Sequence, residues 1–208
     1  MSAFFGISHH GAVNGVTGSC HELRLTNGPG LLVDCGLFQG AETSGKGANA
    51  NSLAIEFPLD AVRALVVTHV HIDHVGRIPY LLAAGFAGPI YCSEPSARLL
   101  PVVLEDALKI GVTRNKALIR RVMAALKRMI KPLPYGEWKS LETKGEAALA
   151  IRLQRAGHIL GSACFDLPPI ISPQRRPLQA HQITVALPPQ MSGILAPLNE
   201  VSGSQPPP

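Results

Sequence analysis

The sequence predicts an α/β fold, on three observations. Short apolar runs of strand length recur along the chain, and stretches with helical spacing lie between them. No internal repeat on the order of 20–50 residues is present, which argues against a solenoid or propeller. At 208 residues and 46% apolar, the chain is long enough for one medium domain with an ordinary core.

From Phe4 to Asp34 the text reads as short strands separated by turns. The run GLLVDC, Gly30 to Cys35, is apolar until it ends in an acid, which is how a buried strand delivers a carboxylate to a sheet edge. Residues 41–52 are small and polar and mark an exposed loop. A second buried strand, ALVVT at 64–68, runs straight into HVHIDH. A short helix is expected over Arg77 to Ala84, stopped by Gly85, then a strand over Gly88 to Cys92. Pro95 opens a helix reaching Lys109, with the proline in its first turn. A further helix is expected over Arg114 to Ile130. Its apolar stripe is Leu118, Val122, Ala125 and Met129, and the opposite face carries Lys116, Arg120, Arg121, Lys127 and Arg128. Ala147 to Gln154 alternates as a strand does. From Pro168 the character changes: the last 41 residues hold ten of the 18 prolines and no aromatic residue. The organisation expected is therefore one domain over residues 1–167 and a Pro-rich tail over 168–208.

Composition narrows the function classes. The net charge of +5 leans weakly toward acidic partners such as nucleic acid. The basic helix face reads either as an ordinary solvated surface or as a nucleic-acid footprint. Four widely spread cysteines form no CxxC pair, which fits a reducing cytosol better than a stapled secreted scaffold. The start MSAFFGISHH lacks the basic region of a signal peptide, and no window approaches the ~18 apolar residues of a membrane helix. A cytoplasmic protein without a membrane segment is expected.

The chemistry sits in Thr68-His69-Val70-His71-Ile72-Asp73-His74. Three imidazoles and a carboxylate directly after a buried strand form a donor set suited to zinc. In an extended HxH, alternate side chains point the same way, so His69 and His71 can grip one ion. A turn after them redirects Asp73 and His74 toward a second point. A third nitrogen must come from elsewhere, and His158 in GHILGS is the best candidate, standing between small residues where backbones approach closely. Asp34 reads either as a turn acid or as an acceptor that orients a ligand histidine through its other ring nitrogen. His9, His10, His21 and His181 have no such context and read as ordinary histidines.

HVHIDH resembles the HxHxDH signature of the metallo-β-lactamase superfamily. The segments GAVNGVTGSCHEL, LLVDCGLFQG, HVHIDHVGRIPYLLAAGFAGPIYCSEPS and GHILGSA are similar to the β-CASP nuclease branch, over about Phe4 to Leu167. The resemblance implies the N-terminal part of a four-layer αβ/βα sandwich with two zinc ions at one edge. It matches His69, His71 and His158 to the first ion, Asp73 and His74 to the second, and Asp34 to the first motif acid. It also implies RNA as substrate and phosphodiester hydrolysis by a metal-bound hydroxide that Asp73 orients. The departure begins at PPIISPQRRPLQ, where the family has an SGD-type motif whose aspartate bridges both metals; that motif and the β-CASP insert do not occur in these 208 residues. A truncated or frameshifted gene is expected, and the chain alone is expected to be inactive. Two alternatives stay open: an ester or thioester hydrolase of the same superfamily, and a non-catalytic metal- or RNA-binding remnant.

Overall fold

The apolar runs at Gly30–Val33 and Ile90–Ser93 lie in one sheet and the alternating strand Ala150–Arg155 in another. The computed structural model describes residues 5–13, 15–25, 29–39, 53–140 and 150–167. The expected loop at 41–52, residues 147–149 of the expected strand, His181 and the tail 168–208 lie outside them.

Among the described residues a six-stranded sheet has the order β1-β2-β3-β4-β5-β6, built from β1 (Phe5–His9), β2 (His21–Leu25), β3 (Gly30–Val33), β4 (Val62–Val66), β5 (Ile90–Ser93) and β6 (Ile130–Leu133). β1, β2 and β3 pair antiparallel, whereas β3 to β6 run parallel. The parallel strands β3, β4 and β5 are covered on both faces, which is why GLLV and VRALV read as near-continuous apolar runs. On one face lie α2 (Ile78–Ala83), α3 (Glu94–Ala107) and α4 (Lys116–Met129), sharing a core with Leu32, Leu65, Val67, Ile90 and Cys92. On the other face lies an antiparallel sheet of β7 (Trp138–Ser140), β8 (Ala150–Arg155) and β9 (Ala163–Asp166). Its inward residues Ile151, Leu153, Ala163 and Phe165 pack on Leu31, Val33, Ala64, Val66 and Tyr91. The layers are thus helix, sheet, sheet, and no described helix contributes to the second core.

The helix ends follow local chemistry. Ser93 caps α3 through Ser96 N, with Pro95 in the first turn, and Asn115 caps α4 by accepting from Ala117 N and Leu118 N. After α3 the helix widens into a π-helical segment, Leu108–Val112. One expectation needs correcting. The row of α4 that turns inward is Ile119, Met123 and Leu126, whereas Leu118 is 44% exposed. Two adjacent rows of this helix are apolar, so spacing alone cannot say which one faces the core. Val122 and Met129 pack at its margin. The five cations expected on the opposite face are all exposed. The strands β6, β7 and β9 were not expected from the sequence: the first contains Pro132, and the other two are only three and four residues long.

Candidate metal centre

The centre forms where β3 and β4 stop. β3 ends at Val33, and Asp34 follows with φ of +58°, a left-handed conformation that Asp tolerates better than most residues. The turn aims its carboxylate at the end of β4. There Oδ1 accepts from Thr68 N at 2.8 Å, and Oδ2 accepts from Thr68 Oγ1 at 2.7 Å, His74 Nδ1 at 2.8 Å and Ser19 Oγ at 3.4 Å. Asp34 is 2% exposed, so these bonds replace its water almost completely.

The loop after β4 is extended through His71 and then winds into a single turn, α1 (Ile72–Val75), in which His74 N and Val75 N bond back to His71 O. That turn lays the His74 ring against His69, with centroids 3.9 Å apart, and sets Asp73 beside His74. Close backbone contacts hold it in place. Ser19 N donates to Asp73 O, Cys35 N to His74 O and Leu37 N to Ile72 O. A side chain at Gly36 would overlap the Asp73 carbonyl, so this position must be glycine for the two loops to meet. Arg77 clamps the same loop, with Nε donating to Gly36 O at 2.7 Å and its guanidinium lying over Phe38.

His158 arrives from the opposite sheet, in the turn between β8 and β9. Ser162 Oγ accepts from His158 N and Ile159 N, which closes the turn on itself. Gly161, with φ of +87°, presses on the start of α3, where a Cβ would stand 2.6 Å from Ser96 Oγ. Its carbonyl accepts from Ser93 Oγ and Ser96 Oγ. The helix start thereby sets the position of the turn.

The result is a cluster in which one ligand nitrogen each from His69, His71 and His158 lies within 4.8 Å of the others. His71 Nδ1 faces His69 Nε2 at 3.2 Å and His158 Nε2 at 3.3 Å. A single hydrogen on His71 Nδ1 cannot serve both partners, whereas one cation satisfies all three lone pairs. A tetrahedral ion with ligand bonds of about 2.0–2.1 Å spaces its nitrogens about 3.3 Å apart. The three residues fit such an ion. His74 Nε2 lies 3.7 Å from Asp73 Oδ2, so these two face each other at the neighbouring point.

Protons are placed to match. Thr68 Oγ1 has one hydrogen, which it gives to Asp34, so it accepts from His69 Nδ1 at 3.0 Å. Thus His69 carries its proton on Nδ1 and presents the Nε2 lone pair to the cluster. His74 likewise gives its Nδ1 proton to Asp34 and turns Nε2 outward. Burial pushes His69 down to about 3, with the neighbouring His74, His71 and His158 adding to the effect, so its ring is neutral at physiological pH. Burial and His158 also lower His71. For His74 burial alone acts downward, but the Asp34 hydrogen bond and the charges of Asp34 and Asp73 outweigh it and raise the pKa.

All six residues singled out in the sequence therefore lie in one region. His9, His10 and His21 stand apart from the triad on the β1–β2 hairpin. Thr68, Ser19 and the serines that hold the His158 turn were not singled out. A hydroxyl immediately before HxH was the available sign for Thr68; the serines act through tertiary contacts that no spacing reveals.

Residues 13–158 match the metallo-β-lactamase superfamily. A ribonuclease of Thermus thermophilus is 40% identical over 153 residues, covering 74% of this chain and 32% of that protein. The transcription termination factor FttA of Methanothermobacter thermautotrophicus is 34% identical over 156 residues, 72% of this chain and 23% of that one. The cleavage and polyadenylation specificity factor subunit 3-II of Arabidopsis thaliana is 30% identical over 154 residues, 73% and 25%. The chain belongs to the metallo-β-lactamase superfamily, in its β-CASP nuclease branch. It spans about a third or less of the length of these relatives. All four cysteines are free thiols, and no described helix is long and apolar enough to cross a membrane.

Proposed function

We propose that this chain is the metal-binding part of a zinc-dependent RNA-processing nuclease, acting in the cytoplasm on RNA phosphodiesters. The observation that carries the reading is the set of three facing nitrogens from His69, His71 and His158. Zinc at that point would supply a Lewis acid and lower the pKa of bound water. The three histidines hold it, Thr68 and Asp34 keep the His69 proton on Nδ1, and Asp34 keeps the His74 proton on Nδ1. Asp73 and His74 are the groups for a second ion, and Asp73 is also the group that orients the attacking water. The relatives named as a ribonuclease and as a cleavage and polyadenylation factor support RNA as the substrate class.

Residues 1–167 form the metallo-β-lactamase-like part in this proposal, and 168–208 form a separate Pro-rich segment. Within the 208 residues, a second ion has only Asp73 and His74 from the matched set. A two-metal hydrolase clamps its ions about 3.5–4 Å apart, so this polypeptide alone is expected to cleave RNA no faster than background. The test joins residues 1–167 to the C-terminal part of the Thermus relative and assays RNA cleavage with and without zinc. Zinc-dependent cleavage that His71→Ala abolishes is the expected result. Cleavage that persists in His71→Ala, or a folded chimera that binds no zinc, overturns the proposal.

A further inference from the structure

Beside the triad, at the same end of the sheets, stands a cation that the metal centre does not use. The strands β4, β5 and β6 are parallel, so the ligand loop after β4 and Tyr135, two residues after β6, emerge on the same side. Their strands lie about 10 Å apart, two strand spacings. Arg155, the last residue of β8, reaches this end from the second sheet. It pairs with Ala163 of β9, and Ala163 N donates to Thr68 O at 2.8 Å, one residue before His69. His158 is three residues further on, a span of at most about 11 Å.

The Arg155 side chain is held in place. Its guanidinium lies over the Tyr135 ring, 4.7 Å from the centroid. Tyr135 is fixed in turn, because its hydroxyl donates to Ser162 O at 3.2 Å. That carbonyl also accepts from Ala156 N, and Ser162 Oγ closes the His158 turn. The ring thereby sets the guanidinium beside the turn that carries a metal ligand.

What this cation lacks is an anion. Arg24 is paired with Glu22 and Arg152 with Asp166, but no described carboxylate forms an ion pair with Arg155. Glu137, two residues from Tyr135, is paired with Lys139 at 3.1 Å. Arg155 is exposed, so a ligand reaches it from solvent. Its planar fork of N–H groups matches two oxygens of one phosphate.

We propose that Arg155 binds an RNA phosphate neighbouring the one attacked at the metal centre, and so sets how the strand lies across the three histidines. The proposal rests on the RNA-nuclease reading above. Arg155 stands beside the triad and takes no part in breaking the bond; it is a substrate-positioning residue.

The test uses the full 208-residue chain loaded with zinc and follows binding of a short fluorescein-labelled single-stranded RNA by anisotropy at several salt concentrations. Arg155→Gln should bind about 10-fold more weakly, by a similar factor for RNAs of different sequence. Its salt slope should be shallower by about 0.7, the loss of one phosphate contact on a single strand. Arg155→Lys should recover the slope but not the whole affinity, since it restores the charge without the fork. A role confined to packing on Tyr135 would leave the slope where it was. Zinc content, measured on the same samples, should match wild type in both variants. Wild-type affinity and slope in Arg155→Gln, with RNA still bound, would overturn the proposal and leave the nuclease reading standing. A zinc-loaded wild-type chain that binds no RNA would overturn both.

Discussion

Replacing Asp34 by Asn tests the proton arrangement without disturbing the backbone, because Asn tolerates a φ of +58° as well as Asp does. In the native centre Oδ2 receives three donors, from His74 Nδ1, Thr68 Oγ1 and Ser19 Oγ, and Oδ1 receives Thr68 N. An amide has one acceptor atom and one donor atom. With its oxygen at the Oδ1 position it keeps the Thr68 N bond, but its NH2 then confronts three donors. Those donors must reverse. Thr68 Oγ1 accepts from the amide and gives its hydrogen to His69 Nδ1, which moves the His69 proton to Nε2, onto the atom that faces His71. His74 reverses in the same way. With the amide flipped, its NH2 confronts the Thr68 N–H instead, in a pocket where Asp34 is 2% exposed. Losing the charged acceptor for His74 costs about 1.5–3 kcal/mol of stability. Metal affinity should fall about 10-fold to 100-fold, as for other groups that orient a ligand histidine. Urea unfolding of metal-free protein gives the first quantity, and zinc competition with a chromophoric chelator gives the second. Wild-type values for both in Asp34→Asn would refute the proton arrangement.

Other perturbations separate the remaining contributions. Thr68→Val removes the hydroxyl between Asp34 and His69 and should weaken zinc binding about 10-fold or more, measured by the same competition; unchanged affinity would mean that Thr68 does not set the His69 proton. Gly36→Ala should destabilise the chain by about 1–3 kcal/mol in urea unfolding, since its new carbon overlaps the Asp73 carbonyl; a neutral result would show that the two loops do not touch closely. Burial acts to raise the Glu22 pKa, but its bonds to Arg24 and His10 outweigh that and lower it. Its contribution to stability is therefore complete above its unfolded value of about 4.3 and is lost as pH falls through the lower folded value. Glu22→Gln should accordingly show less loss of stability between pH 5 and pH 3 than wild type, and an identical profile would remove Glu22 from the acid response. Changing Arg120, Arg121, Lys127 and Arg128 together to Gln should make the salt dependence of RNA binding shallower by up to about 3 units, at ~0.7 per lost phosphate contact. An unchanged slope would leave the α4 face as solvated surface.

Much of the fold was legible because the inner parallel strands β3, β4 and β5 are buried on both faces. Gly30–Val33 and Ala64–Val67 therefore stand out as apolar runs, each ending beside a residue of the candidate centre. The ligand loop was legible for a different reason: HVHIDH packs four donors into six residues. What the sequence left open depends on tertiary contact. Leu118 and Ile119 are adjacent and both apolar, and only tertiary packing, in which α4 lies against α3, decides that Ile119 turns inward. His158 lies 87 residues from His71, and the turn that brings it there is fixed by Ser93, Ser96 and Ser162, which no local period marks.

The most direct measurement is the zinc content of the purified 208-residue chain, determined by elemental analysis on wild type and His71→Ala, with circular dichroism to establish that both are folded. Among the described residues, His69, His71 and His158 bring three donor atoms within 4.8 Å of one another, whereas Asp73 and His74 face each other alone at 3.7 Å. One tightly held zinc ion per wild-type chain, lost in His71→Ala, is the predicted result. A folded wild-type chain without zinc, or the same zinc retained in His71→Ala, would contradict it.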